Sequence, residues 1–400
     1  MKRSPSLHYS FGPRLTPSFF SIQKPQVLLL AGEVTPFRND TDRELLFRQE
    51  SNFFYLTGCD VPQSFLVATS PSKATAAVST LFIPKPTLDD LTWSVAPPTL
   101  QEAQESLDIT VVSHPTEIAK TLGDLLKDIP AGALFHTLPR GSTLYPAFPD
   151  EHTTRVLSFQ AAEGLEGPAV TDAYLLRAVS LARLTKDETE IELIRKANAI
   201  SSRAHEVVMR VLGKAVKNKL STLGKAQKED ALLLPGDWLI EKEAEAEAIF
   251  VASCRREGWV ALFYHFLLLC VILTGADHYR SIHQAYLPIV AASTRASTLH
   301  YCCNDRDFAW GPVGATDHLN NSRFTQNGHG HTHEGTDAEL APQVLLIDAG
   351  CEWRNYASDI TRTIPVGNGG KFNKEAGAIY DLVLEMQKVG FVSRLFLDCI

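Results

Sequence analysis

Residues 343–366, QVLLIDAGCEWRNYASDITRTIPV, restrict the fold more than any other stretch of the chain. An apolar run, Val344-Leu345-Leu346-Ile347, leads to Asp348, and a second segment rich in β-branched residues carries Asp359, eleven positions on. The intervening GCEWRNY is polar and turn-like, so the pattern predicts an antiparallel hairpin. With the turn centred near Trp353-Arg354, the two aspartates fall roughly opposite each other on one face. Like charges facing across a sheet repel, and in an apolar pocket the repulsion drives one carboxyl to keep its proton. A divalent cation removes the conflict, because each carboxylate then faces the cation. Two such ions also activate a water nucleophile. The hairpin therefore reads as half of a metal site, although spacing alone does not separate that from two solvent-facing aspartates on a surface hairpin.

The rest of the chain frames this hairpin. A length of 400 residues predicts two domains. The formal charge of −8, from 38 basic and 46 acidic residues, leaves no basic field and argues against a nucleic-acid partner. Seven scattered cysteines form no CxxC pair, which points to reduced thiols in an intracellular, cytoplasmic setting. Residues 1–25 are basic and rich in Ser and Pro, without the apolar core of a secretory signal. They read as a disordered arm in preference to an organellar transit peptide.

Residues 26–170 read as an α/β domain. Strand-like runs fall at 26–32, 52–58, 64–70, 79–84 and 132–138, and helical patterns at 100–107 and 116–129. The character changes across 170–186. Residues 173–184 are helical, and Asp187 three residues before Glu190 is a capping-box signal for a long helix. That helix carries Ile191, Ile194, Ala197, Ile200, Ala204, Val207, Val208 and Val211 at a 3.6-residue period. Residues 238–258 form a second helix by propensity. Residues 285–293 and 297–303 read as strands, and 375–387 as a last helix.

Other candidates are weaker. His329, His331 and His333 alternate in GHGHTHEG, and a solvated loop explains them better than a zinc or nickel site. His300 lies inside TLHYC, an apolar strand-like segment, where it reads as a satisfied core histidine or as a residue serving a site. Thr361 and Thr363 read as supporting hydroxyls or as plain strand formers. There is no GxSxG elbow, P-loop or GxGxxG. The run at 259–275, WVALFYHFLLLCVILTG, is at the lower edge of a membrane-spanning length.

Taken in order, KDETEIELIRKA, the REG helix end, HQAYLPIVAASTRASTLHY and LLIDAGCEWRNYASDITRTIPV resemble the Xaa-Pro aminopeptidase (aminopeptidase P) and prolidase group of metallopeptidases. FRQESNFFYLTGCDVP resembles part of that family's N-terminal domain, and ASTRASTLHYCCNDRDFAWGP is most similar to fungal members. The resemblance covers about residues 26–390, with gaps. It implies an α/β N-terminal domain, 26–170, followed by an α+β pita-bread domain, 187–400, which is incomplete. It also implies two divalent ions, manganese by family habit, held in part by Asp348 and Asp359, with His300 near the substrate assisting proton handling or carbonyl polarisation. The implied reaction is hydrolysis of the bond between an N-terminal residue and proline, with proline-containing peptides as partners. Neither a membrane nor nucleic acid is expected, and a homo-oligomer is compatible. Prolidase activity on Xaa-Pro dipeptides, and a non-catalytic pita-bread module that binds peptides or proteins, are the alternatives.

Two departures accompany the resemblance. The family's other ligands, one histidine and two glutamates, come well after the hairpin, and KVGFVSRLFLDCI at 388–400 does not supply them. The 400-residue chain is therefore expected to hold manganese weakly and to leave Xaa-Pro peptides uncut. Residues 259–282 have no family counterpart and fit a translated intron better than a membrane span. The abrupt end is expected to have a similar origin.

Overall fold

The computed structural model describes residues 26–70, 78–128, 133–162, 170–222, 242–263, 282–301, 303–306, 343–366 and 370–397. The chain divides into two compact units, with the change at Ile191–Glu192.

The first unit is built on a six-stranded mixed sheet ordered β4-β3-β2-β1-β5-β6. Its strands are β1 (Gln26–Ala31), β2 (Phe65–Ser70), β3 (Val78–Phe82), β4 (Val111–Ser113), β5 (Leu134–His136) and β6 (Val170–Thr171). β1 is buried throughout, as a central strand covered on both faces must be. Leu28, Leu30, Leu66 and Leu81 point into one apolar cluster, and Val27, Leu29, Val67 and Phe82 into another on the opposite face. Helices Leu100–Ser106 and Leu175–Ala182 pack in the first cluster, and Ile118–Asp128 and Asp150–Ala162 in the second. This is the α/β arrangement the sequence predicts.

One predicted strand is a helix. Residues 52–58, NFFYLTG, have the aromatic content of a strand, yet Ser51–Thr57 is helical. Local capping decides it. The Glu50 carboxylate accepts from Phe53 N–H at 2.7 Å, and Gly58, at φ 67°, closes the last turn with its N–H on Phe54 O.

The second unit rests on a long helix, Glu188–Thr222, and a second helix, Glu243–Phe263. The predicted capping box forms reciprocally. Glu190 N–H donates to Asp187 Oδ1 at 2.8 Å, and Asp187 N–H donates to Glu190 Oε2 at 2.9 Å. The second helix continues through Gly258 for five residues of the apolar run, and residues 264–281 lie outside the described part. Two three-stranded sheets follow, ordered β12-β9-β8 and β11-β10-β7. Their strands are β7 (Ile282–Gln284), β8 (Ile289–Ala292), β9 (Gln343–Asp348), β10 (Cys351–Trp353), β11 (Tyr356–Ala357) and β12 (Thr361–Val366). Leu345, Ile347, Ala349 and Cys351 pack on Ala197, Ile200, Ala204 and Val208 of the long helix and on Ala246, Phe250 and Cys254 of the second. The last helix, Lys374–Leu397, is longer than the predicted 375–387, and Ile379, Leu382, Val383 and Met386 on it are exposed.

Candidate metal centre

The predicted hairpin is present, with its turn one residue later than expected. Trp353 pairs with Tyr356, so the turn is Arg354-Asn355, both at positive φ (48° and 61°), the backbone hand that a two-residue hairpin turn requires. The shift changes how the aspartates meet. Asp348 pairs with Thr361, in line with Glu352 opposite Ala357. Asp359 is two residues before Thr361, so the two carboxylates are diagonal neighbours on one face and not a directly opposed pair. The same alternation puts Leu345 and Ile347 on the core face and Asp348 on the other.

The ribbon bends between the two sheets, at Gly350. A Cβ on Gly350 would lie 1.9 Å from Ser358 O, so only glycine lets the two strands approach this closely. Ala349 N–H donates to Ile360 O at 3.1 Å and Ser358 N–H to Cys351 O at 2.9 Å, which keeps the strands bonded through the bend.

Both carboxylates turn toward one hydroxyl. Tyr286 Oη lies 2.6 Å from Asp348 Oδ1 and 3.1 Å from Asp359 Oδ1. Burial first, and then the two carboxylates as hydrogen-bond acceptors and as charges, push the phenol well above its ordinary range, so it stays a donor. It carries one proton for two acceptors. Among the described residues neither aspartate has a cationic partner, and no group of three potential metal ligands is brought together. Two converging carboxylate oxygens without a counter-charge are the donor chemistry of a hard divalent cation, and Asp348 and Asp359 fit as two of its ligands. Sequence reasoning missed Tyr286. Its only signal was a lone aromatic inside the predicted strand at 285–293, between an alanine and a leucine that carry no chemistry by themselves.

His300 is not in a strand. Residues 293–297 form a short 3-10 helix, and His300 follows in an exposed turn beside Leu299, without a hydrogen bond among the described residues. It is therefore not a satisfied core histidine, and among the described residues it makes no hydrogen bond to Asp348, Asp359 or Tyr286. What replaces the expected strand is a clamp on the fully buried Glu243, at the start of the second helix. Its carboxylate accepts from Ala292 N at 2.9 Å, Arg295 Nε at 2.8 Å and Tyr301 Oη at 2.6 Å. Asn304 adds a second tie, accepting from Val290 N–H and donating to Pro288 O. These bonds hold the Arg295 and Tyr301 side chains and the backbone of residues 288–292, while Thr298 N–H turns back onto Arg295 O at 3.0 Å. Thr361 lies on the Asp348 face and is exposed, with Thr363 two residues along the same face. His329, His331 and His333 lie outside the described residues. Among those described, no helix is long and apolar enough to cross a membrane.

A bent β-ribbon with two converging carboxylates, backed by two helices, defines a metallohydrolase type of domain. Residues 192–393 match the model of metallopeptidase family M24, and residues 14–134 match that of the aminopeptidase P N-terminal domain. The chain belongs to metallopeptidase family M24, and its second unit is a pita-bread domain. Among curated relatives, a probable Xaa-Pro aminopeptidase of Podospora anserina is 34% identical over 361 residues, 90% of this chain and 56% of the relative. One from Paracoccidioides brasiliensis is 31% identical over 361 residues, 90% of this chain and 57% of the relative. The chain thus spans little more than half the length of these relatives. Similar folds include Zn-substituted E. coli aminopeptidase P in complex with product (TM-score 0.61, 23% identity, 94% of this chain and 66% of that one). Proline aminopeptidase P II from Yersinia pestis is also similar (TM-score 0.58, 23% identity, 90% and 63%).

Proposed function

We propose that this chain serves as an Xaa-Pro aminopeptidase, releasing the residue that precedes a proline at a peptide's N-terminus. Asp348 and Asp359 would hold divalent cations, manganese foremost, and His300 would sit beside the peptide. The observation that carries the reading is the convergence of Asp348 and Asp359 on the Tyr286 hydroxyl. The names borne by the fungal relatives support it. When bound, the cations supply an activated water and stabilise charge developing on the scissile carbonyl. The chain's own part is to aim two carboxylates at one point and to keep a neutral donor beside them. Free thiols at Cys59, Cys254, Cys303 and Cys351 suit a reducing, cytoplasmic setting.

One assay tests this proposal. The chain is incubated with Gly-Pro-Pro and with Gly-Pro at millimolar manganese, enough to load a weak site. Glycine release from Gly-Pro-Pro, lost in Asp359→Asn, is the expected result. Release from Gly-Pro alone would make the protein a dipeptidase of the prolidase kind. Manganese bound at the two aspartates with neither peptide cut would leave the non-catalytic binding module.

A further inference from the structure

One stripe of the long helix grips the hairpin from behind, at its bend. Ala197, Ser201 and His205 are spaced four apart and so share a face. Ser201 and His205 are buried, in a face otherwise made of Ile200, Ala204 and Val208. Cys351 Sγ–H donates to Ala197 O at 3.4 Å, and Cys351 N–H donates to Ser201 Oγ at 2.8 Å. The Ser201 and Ser358 hydroxyls are 2.8 Å apart, and Ser358 donates to Cys351 O at 2.9 Å. Since that commits the one Ser358 proton, Ser201 is the donor to Ser358. The result is a closed ring that ties both strands of the ribbon to the helix. One turn further on, His205 Nε2 lies 3.0 Å from Ala349 O, so Nε2 carries the proton. Ile360 O also faces the ring.

Ala349 and Cys351 flank Gly350, Ala349 adjoins Asp348, and Ser358 and Ile360 flank Asp359. Apolar residues at 201 and 205 would fill the same space without desolvating polar atoms. What Ser201 and His205 add is direction, a fixed hydrogen bond to each side of the bend. His205 uses a single nitrogen for this. Its Nδ1 is buried without a hydrogen-bond partner among the described residues, and the ring packs edge-on against Phe250 with centroids 4.9 Å apart.

We propose that Ser201 and His205 are positioning residues that set the bend at Gly350 and thereby aim Asp348 and Asp359 at a common point. The proposal rests on the metal reading above, and its test separates the two. Three variants are compared with the parent chain: His205→Leu, which keeps an apolar body and removes the donor; His205→Gln, whose amide restores one; and Ser201→Ala. The first readout is metal-free amide exchange at Ala349 and Ser358, referenced to Leu345 and Ile347 on the same ribbon. His205→Leu and Ser201→Ala are expected to speed the bend amides about tenfold over the reference amides, and His205→Gln to restore them. Uniform acceleration, or none, would assign both residues to core packing and overturn the proposal. Should the leucine variant fail to fold, Ser201→Ala carries the same comparison. The second readout is binding of Mn2+ alone, followed by electron paramagnetic resonance. A roughly tenfold loss of affinity in the leucine variant, recovered by glutamine, is expected. Unchanged affinity with a loosened bend would overturn the link from bend to carboxylates. A parent chain that binds no Mn2+ would sink the metal reading alone, with the exchange data still deciding the bend.

Discussion

Asp348 and Asp359 were legible as residues because their chemistry shows in one dimension. An acidic residue at the end of an apolar strand is costly, and two of them at hairpin spacing call for a shared partner. Tyr286, Ser201, His205 and Glu243 were not legible, because each acquires its role from a neighbour 49 to 157 positions away. Glu243 shows the cost of such a role. Its side chain has no exposed surface, and the Arg295 side chain that answers its charge is 18% exposed. Removing one member of a buried pair leaves the other uncompensated. Glu243→Gln keeps the shape and loses the charge, so a destabilisation of about 3 kcal/mol is expected in urea unfolding. Faster exchange confined first to residues 292–301, the segment that holds His300, would accompany it. A shift below about 0.5 kcal/mol would mean that the clamp is ornamental.

Among the elements, those fixed by period were read correctly, and two fixed by local caps or clamps were not. The apolar repeat of the long helix and the alternation of β9 survive into the structure because burial enforces them. Residues 52–58 were misread because Glu50 and Gly58 outweigh the strand preference of NFFYL, and residues 297–303 because the 3-10 turn closes with Thr298 N–H on Arg295 O and Glu243 holds the Tyr301 side chain. The hairpin register was off by one residue on its turn, since in GCEWRNY only the αL tolerance of Asn355 favours Arg354-Asn355 over Trp353-Arg354. Gly350 is the element's weak point. Gly350→Ala would force the bend open against Ser358 O, a backbone atom with no rotamer to yield. The expected loss is roughly 2–4 kcal/mol, with manganese affinity falling further than stability accounts for. Calorimetry of the variant with and without Mn2+ checks this. Equal stability and equal metal response would mean that the bend is not where the structure puts it.

For the whole molecule, the two units offer two handles, acid through His136 in the first and, under the proposed function, metal in the second. His136, on β5, is 1% exposed, and burial lowers its pKa from 6.5 to about 4. Its Nε2 contacts Gln26 Oε1 on β1, an oxygen that can only accept, so the ring is neutral with Nε2 protonated. A group whose folded pKa lies below its unfolded value adds stability above the unfolded pKa and gives it up as pH falls toward the folded one. The window is therefore about pH 6.5 down to about pH 4, and the loss at its lower end is at most about 3 kcal/mol. Under the proposed function, Mn2+ acts on the second unit. A ligand that binds only the native hairpin stabilises it by mass action, about 2.7 kcal/mol at a hundredfold excess over Kd. Hydrogen exchange followed by peptide, corrected for the intrinsic pH dependence of exchange, should then separate the two effects. Lowering pH from 7 to 5 is expected to weaken protection of β1 and β5, and His136→Asn to flatten that dependence. Adding Mn2+ at pH 7 is expected to protect residues 343–366 and leave β1 and β5 unchanged. Acid loss that persists in the His136 variant would place the acid-sensitive group outside this pair. Mn2+ protection of β1 equal to that of β9 would mean that the cation binds somewhere other than the two aspartates.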